Sequence, residues 1–307
     1  MKETLGIHHI TAIVGHPQEN VDFYSNVLGL RLVKKTVNFD DPKTYHLYFG
    51  NEDARPGSII TFFPWAGAEQ GRIGGGQVGI TTYAVPAGSL AFWEARLRSK
   101  AVPFNKISRF GEPLIQFEDP HGLRLELVER DEGPLNTWSN EGVKPDVAIK
   151  GFGGAVLFST KPKETAETLS ETLGLKPSEE NEDFIRFKAD GDVGNVIDLK
   201  KEAEPLGHMG VGTVHHIAWR AHDEADHKDW HTHVSKLGHQ VTDIKDRNYF
   251  KALYFREAGH ILFEISSDTP GFTIDEAPDR LGESLKLPEQ YEAKRKELEA
   301  QLIPLNH

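Results

Sequence analysis

Two stretches of the chain carry adjacent histidines. Ile7-His8-His9-Ile10-Thr11-Ala12 lies near the start, and Val214-His215-His216-Ile217-Ala218-Trp219 lies late. A third stretch, Ile261-Leu262-Phe263-Glu264-Ile265, holds one carboxylate among apolar neighbours. Two neutral imidazoles and a carboxylate form the three-ligand set that leaves half of an octahedron open, as in non-haem Fe(II) oxygenases. Manganese and zinc accept similar donors, so the residue types alone do not choose the metal. Alternation along a strand puts one member of each pair on a given face. We assign the second members, His9 and His216, as ligands with Glu264. His8 and His215 then point the other way or line the pocket from a pleat edge. An unpaired carboxylate between Phe263 and Ile265 would be costly, which argues for a cation beside Glu264. Four more histidines, His222, His227, His231 and His233, fall on one helical segment. His227 and His231 are spaced i, i+4, but Lys228-Asp229-Trp230 lacks the glutamate of a zinc-protease helix. That segment reads as a solvated face.

Composition narrows the field. The 307 residues allow about two domains. Cysteine is absent, which excludes disulfides, thiolate catalysis and Cys-ligated metal. The formal net charge of −12 disfavours a phosphate backbone, and no basic patch offsets it, so no nucleic-acid partner is expected. No apolar run approaches the roughly 20 residues of a membrane helix. Without an export signal, a cytoplasmic location is the expectation. A homo-oligomer is compatible with all of this.

The elements that position the histidines recur. A strand at 7–14 precedes a helix opened by Pro17 and stopped by Gly29. Strand-like runs follow at Arg31–Val37, Tyr45–Phe49 and Ser58–Phe63. The same βαβββ order returns with strand 78–85, a helix to about Lys100, and strands near 104–109, 113–118 and 123–128. It returns again with strand 152–159, helix Lys163–Leu173, and strands near 183–188 and 195–199. The fourth pass has strand 213–220, helix 223–237, and strands near 240–244, 249–255 and 261–266. Four copies spaced by roughly 65–70 residues define the architecture. Gly133-Pro134, Asn136, Asn140, Gly142 and Pro145 mark a linker between copies two and three. This divides the chain into 5–130 (modules 1 and 2), 148–268 (modules 3 and 4) and a 269–307 tail. In the tail, irregular wrapping loop is followed by a charged helix from Pro288 to Leu302.

Each copy is a control for the others. Where modules 1 and 4 have His-His, modules 2 and 3 have Val78-Gly79-Ile80-Thr81 and Phe152-Gly153-Gly154-Ala155. The last strand carries Glu264 in module 4, Glu126 in module 2 and Asp198 in module 3, but Thr61 in module 1. The histidines and the carboxylate meet only if modules 1 and 4 face each other. Modules 2 and 3 would then enclose a second, histidine-free cavity. Glu126 and Asp198 read as hydrogen-bonded remnants or surface carboxylates.

The fourfold βαβββ order and the segment Glu118-Asp119-Pro120-His121-Gly122-Leu123-Arg124-Leu125-Glu126 resemble the vicinal-oxygen-chelate superfamily of glyoxalase, bleomycin-resistance and extradiol dioxygenase proteins. The resemblance implies an α+β fold, with two glyoxalase-like curled-sheet domains and modules 1 and 4 enclosing the metal site. Within that superfamily the chain resembles the ring-cleaving dioxygenases that act on hydroquinones and related phenols. The matching motifs are Leu5-Gly6-Ile7-His8-His9-Ile10-Thr11, Gln18 to Tyr24, Tyr45-His46-Leu47-Tyr48-Phe49-Gly50 and Pro86 to Trp93. Further matches are Asp246-Arg247-Asn248-Tyr249-Phe250 and Leu253-Tyr254-Phe255-Arg256. The resemblance implies metal ligands His9, His216 and Glu264, with Fe(II) as cofactor. It implies catalytic roles for Tyr254 and Arg247, and a substrate pocket including His8, Thr11, His215 and Phe250. The partners would be a small aromatic substrate and O2. His260 departs from the family turn, which usually has glycine there. The competing expectations are a metal-dependent isomerase or transferase on the same scaffold, and a non-catalytic protein that sequesters a drug or quinone. Thr61 in place of a second carboxylate argues against a four-ligand isomerase.

Overall fold

β-Branched and aromatic residues alternate with small or polar ones along the strands, and each module closes as a small sheet behind one helix. The structure is a computed structural model that describes residues 2–306; Met1 and His307 lie outside the described residues. Module 1 comprises β1 (Ile7–Val14), β2 (Arg31–Val37), β3 (Tyr45–Gly50) and β4 (Ile59–Pro64). Module 2 comprises β5 (Gln77–Val85), β6 (Phe104–Arg109), β7 (Glu112–Glu118) and β8 (Arg124–Glu129). Module 3 comprises β9 (Gly151–Phe158), β10 (Lys176–Glu180), β11 (Phe184–Lys188) and β12 (Val196–Lys200). Module 4 comprises β13 (Thr213–Ala221), β14 (Lys245–Asp246), β15 (Phe250–Arg256) and β16 (Leu262–Pro270).

Each module has its helix between its first two strands. The first, α1 (Pro17–Val21), has Pro17 at its start and an N-cap in which the His16 ring accepts from the Gln18 backbone N–H. It continues as wider π-helical turns to Val27. Gly29 ends it at φ +73°, where a Cβ would strike Val143. The others are α2 (Leu90–Ser99), α3 (Pro162–Glu167, with π-helical turns to Thr172) and α4 (Glu224–Lys236).

The strands form two eight-stranded sheets. One has the order β14-β15-β16-β13-β1-β4-β3-β2, the other β10-β11-β12-β9-β5-β8-β7-β6. Modules 1 and 4 therefore share one sheet, and modules 2 and 3 share the other. The segments 5–130 and 148–268 each hold two modules, one in each sheet. Both sheets have local two-fold symmetry about an antiparallel central pair. In the first the pairing is His9 with Ala218, Ile10 with Ile217 and Thr11 with His216. In the second, Ile80 pairs with Val156, Thr81 with Ala155 and Thr82 with Gly154. One apolar core runs through both sheets and includes Tyr83, Trp93, Leu157, Trp219 and Trp230.

Three local expectations need correction. The strand expected at 240–244 is instead the two-residue β14, and Val241 makes only an isolated bridge to Phe255. Strand β10 was invisible in the sequence because every residue of Lys176-Pro177-Ser178-Glu179-Glu180 is exposed, which leaves no apolar alternation. The tail helix is two short helices, α5 (Glu289–Glu292) and α6 (Arg295–Gln301), with Leu298 and Leu302 buried. Ahead of them the irregular strap from Gly271 is held by Lys34, whose fully buried ammonium lies 2.5 Å from both Asp275 and Glu276. Among the described residues no helix is long and apolar enough to cross a membrane.

Candidate metal centre and pocket

β1 and β13 lie side by side at the middle of their sheet, so the two His-His pairs meet across the local two-fold. His9 Nε2 and His216 Nε2 are 3.3 Å apart. Glu264 on β16 brings Oε2 to 2.8 Å from His216 Nε2 and 3.6 Å from His9 Nε2. All three side chains are buried, and among the described residues they form the one cluster of His, Cys, Asp or Glu groups with metal-ligand spacing. Glu264 Oε1 accepts from Ser266 Oγ at 2.5 Å. Oε2 has no aligned hydrogen-bond donor despite its closeness to His216. A buried carboxylate oxygen left this way is expensive, and two imidazole nitrogens face the same point. A divalent cation fits there.

The first histidine of each pair sits behind the second. His8 Nδ1 is 2.9 Å from His9 Nδ1, and His215 Nδ1 is 2.8 Å from His216 Nδ1. If the protons of those contacts sit on His9 and His216, each Nε2 keeps a free lone pair, the arrangement common behind metal-bound histidines. The contact between neighbours in sequence exists because His8 and His215 are the extra residues of two β-bulges in the central pair. Gly79 and Gly153 are the bulged residues at the matching places of the other sheet. Burial lowers the pKa of His216, and that of His215 to about 3, which keeps both rings neutral at pH 7. Burial works against the Glu264 carboxylate, but the imidazoles of His9 and His216, when protonated at low pH, overcome it, and its pKa lies well below the usual range.

The cluster opens onto a cavity of about 40 Å³, lined in part by His9, Thr11, His216, Arg247, Phe250, Tyr254 and Glu264. Thr11, Phe250, Tyr254 and Arg247 all line this cavity. His8 and His215 are not among the lining residues. Arg247 lies over the Tyr254 ring, 5.7 Å from its centre, and 3.4 Å from Asp40. Burial and the Glu264 carboxylate raise the Tyr254 pKa, so its phenol stays protonated. The lining also includes Asn38, Phe39, Asp40, His46, Tyr48 and Phe63, which sequence reasoning did not select. A signal for Tyr48 was present: it lies inside a matched motif and pairs with Thr61 as Tyr254 pairs with Glu264. A larger groove of about 880 Å³ between α1 and the β6–β7 hairpin is open to solvent and holds no such ligand cluster.

Among the described residues the second sheet keeps only a small, histidine-free remnant of such a cavity. Its Glu126 and Asp198 occupy the symmetry-related carboxylate positions, and Arg109 bridges them, 2.6 Å from Glu126 and 3.3 Å from Asp198. Arg186 pairs with Asp198 at 2.7 Å and with Glu112 at 2.7 Å. Only about 10 Å³ remains there. These carboxylates are fully buried partners of arginine, and a guanidinium supplies the positive charge. On α4, His227 is buried and bonded at 2.9 Å to the Ile265 carbonyl, so that residue is a core histidine and not part of a solvated face.

The profile of the Glyoxalase/Bleomycin resistance protein/Dioxygenase superfamily matches residues 6–127 and 151–265. The chain belongs to that superfamily. A Bacillus subtilis protein provisionally named ring-cleaving dioxygenase MhqO is 61% identical over 303 residues, covering 99% of this chain and 97% of the relative. The chlorohydroquinone/hydroquinone 1,2-dioxygenase of Sphingobium indicum is 35% identical over 303 residues, 95% of this chain and 94% of that protein. A crystal structure of a provisionally named dioxygenase from Bacillus subtilis matches with a TM-score of 0.99 at 60% identity, covering 100% of this chain and 99% of that one. Glyoxalase I of Zea mays, at 15% identity and a TM-score of 0.64 over 86% of this chain and 92% of that one, shares the fold. Within the superfamily this chain stands in the ring-cleaving dioxygenase class of oxidoreductases.

Proposed function

We propose that the protein is an Fe(II)-dependent dioxygenase that opens the ring of a hydroquinone- or catechol-type phenol with O2. The observation that carries this is a buried His9–His216–Glu264 set whose one unpaired carboxylate oxygen and two ring nitrogens converge beside an aromatic-lined cavity. The donor set suits Fe(II), with Mn(II) or Zn(II) as the alternatives. When bound, the ion would supply adjacent open positions for a ring oxygen and O2, and a path for electrons from one to the other.

The chain's own residues account for the rest. The Arg247 guanidinium stabilises a phenolate and, later, a developing carboxylate. Tyr254, kept protonated by burial and by Glu264, donates a hydrogen bond at the reacting end. Phe250 packs on His9, ring centres 5.0 Å apart, and offers an apolar wall for the substrate ring. Thr61, in register with Thr11, stands where a second carboxylate would complete a four-ligand isomerase site. This favours the dioxygenase over the isomerase.

The test is anaerobic loading with Fe(II), then a hydroquinone and catechol panel followed with an oxygen electrode. Uptake of one O2 per ring opened is the expected result. Absence of uptake with every phenol, in protein carrying a full complement of Fe(II), would overturn the proposal.

A further inference from the structure

The local two-fold of the first sheet relates β13, β16 and β15 of module 4 to β1, β4 and β3 of module 1. Ile10 and Ile217 lie on the axis, so His9 matches His216 and Thr11 matches Ala218. Thr11 pairs with Thr61 as Ala218 pairs with Glu264, and Tyr48 pairs with Thr61 as Tyr254 pairs with Glu264. Tyr48 is therefore the counterpart of Tyr254, and both line the same cavity.

Around Tyr48 the symmetry breaks chemically. Where module 4 has the Glu264 carboxylate and Arg247, module 1 has a neutral chain. The Tyr48 hydroxyl is 2.9 Å from His46 Nδ1, His46 Nε2 is 2.8 Å from Thr61 Oγ1, and Thr61 Oγ1 is 2.8 Å from Thr11 Oγ1. All four side chains are buried. The chain crosses from β1 through β4 to β3, two strand spacings or about 10 Å, which exceeds the width of one aromatic ring.

We propose that Tyr48, oriented by His46, is a specificity-determining residue that accepts a hydrogen bond from the ring hydroxyl the metal does not hold, and so selects 1,4-diols. The inference rests on the dioxygenase reading above. A neutral imidazole has one donor and one acceptor nitrogen. If Tyr48 donates to Nδ1, the proton of His46 is on Nε2 and points to Thr61. Thr61 then donates to Thr11, and Thr11 turns its own proton toward the metal side. The chain is polarised: a donor faces the anionic oxygen, and the spare lone pairs of Tyr48 face the neutral hydroxyl. Burial lowers the His46 pKa and raises that of Tyr48, in keeping with a chain of uncharged groups. A catechol carries its second oxygen next to the first and does not reach Tyr48. A simple phenol has no second oxygen.

The experiment is anaerobic calorimetric titration of the Fe(II)-loaded protein with hydroquinone, catechol and phenol. It compares the wild type with Tyr48→Phe and His46→Gln, with iron content measured on each. The expected result is hydroquinone binding weakened about tenfold in Tyr48→Phe, the loss of one buried hydrogen bond, with phenol and catechol changed less than twofold and iron unchanged. His46→Gln, which keeps a donor toward Thr61 but loses the Tyr48 contact, should show the same discrimination to a smaller degree. In turnover, KM for hydroquinone rises while kcat holds. Equal weakening of all three ligands, no weakening, or loss of iron from both variants overturns the proposal. If the wild type binds and consumes hydroquinone while the variants discriminate nothing, this inference fails alone. If the wild type neither binds nor consumes it, the dioxygenase reading fails as well.

Discussion

At the scale of single residues, position in the repeat decides what a carboxylate does. Glu264, Glu126 and Asp198 occupy matching places on β16, β8 and β12. The first faces two imidazoles, and the other two face Arg109 and Arg186. Substituting His216 or Glu264 by alanine should take the metal content, measured by plasma mass spectrometry, from about one per chain to near zero. Glu126→Gln should leave it unchanged; equal loss in that variant would put the ion in the wrong sheet. Arg109→Met strands Glu126 without a cation, while Asp198 keeps Arg186. Its expected cost is about 3–5 kcal/mol in urea unfolding, with metal content retained in the folded fraction.

At the scale of elements, the pocket is closed by the segment after β2. A cavity of about 40 Å³ is smaller than the roughly 150 Å³ that takes a benzene ring, so a wall moves when an aromatic substrate enters. The Asn38–Asp40 stretch is the candidate, held by the Asp40–Arg247 contact at 3.4 Å. Asp40 is exposed, so this ion pair contributes no more than about 1 kcal/mol. Asp40→Ala should therefore speed phenol binding in stopped-flow by up to about fivefold, with little effect on stability. A slower association would mean that the segment guides substrate in rather than shutting it out. The sequence made the metal cluster legible because two His-His pairs broke a repeat whose other copies had none. Lining residues such as Asn38, Phe39 and His46 carried no such contrast. Their place depends on how β3 and the turn before it cross the mouth of the site, which apolar periodicity does not encode. The same holds for β10, where an exposed edge strand has no face to alternate.

At the scale of the molecule, four similar modules and their order were readable from spacing alone, and the partnership of modules 1 and 4 followed from where the ligands sat. The docking of the tail was less visible, since its charged composition gives few anchors. Lys34 is one of them: fully buried, paired with Asp275 and Glu276, and 4.9 Å from the centre of the Tyr249 ring. Lys34→Ala should cost about 3 kcal/mol and raise hydrogen exchange across 271–287 while leaving 77–129 protected. Unchanged exchange in the strap would show that Leu281 and Phe272 hold it without the lysine.

The sheet order has a consequence for how the protein comes into being. The strands of modules 2 and 3 are all in hand once residue 200 has been made, so their sheet can form early on the nascent chain. β1 is translated first, yet its partner β13 emerges only some 200 residues later. Until then one side of the first strand has no neighbour, and a waiting strand edge is exposed to other chains. The last ligand, Glu264, follows later still. The three donors can hold a metal ion only after Glu264 has been made and β16 has joined the sheet, so loading the site is also the step that reports a finished sheet.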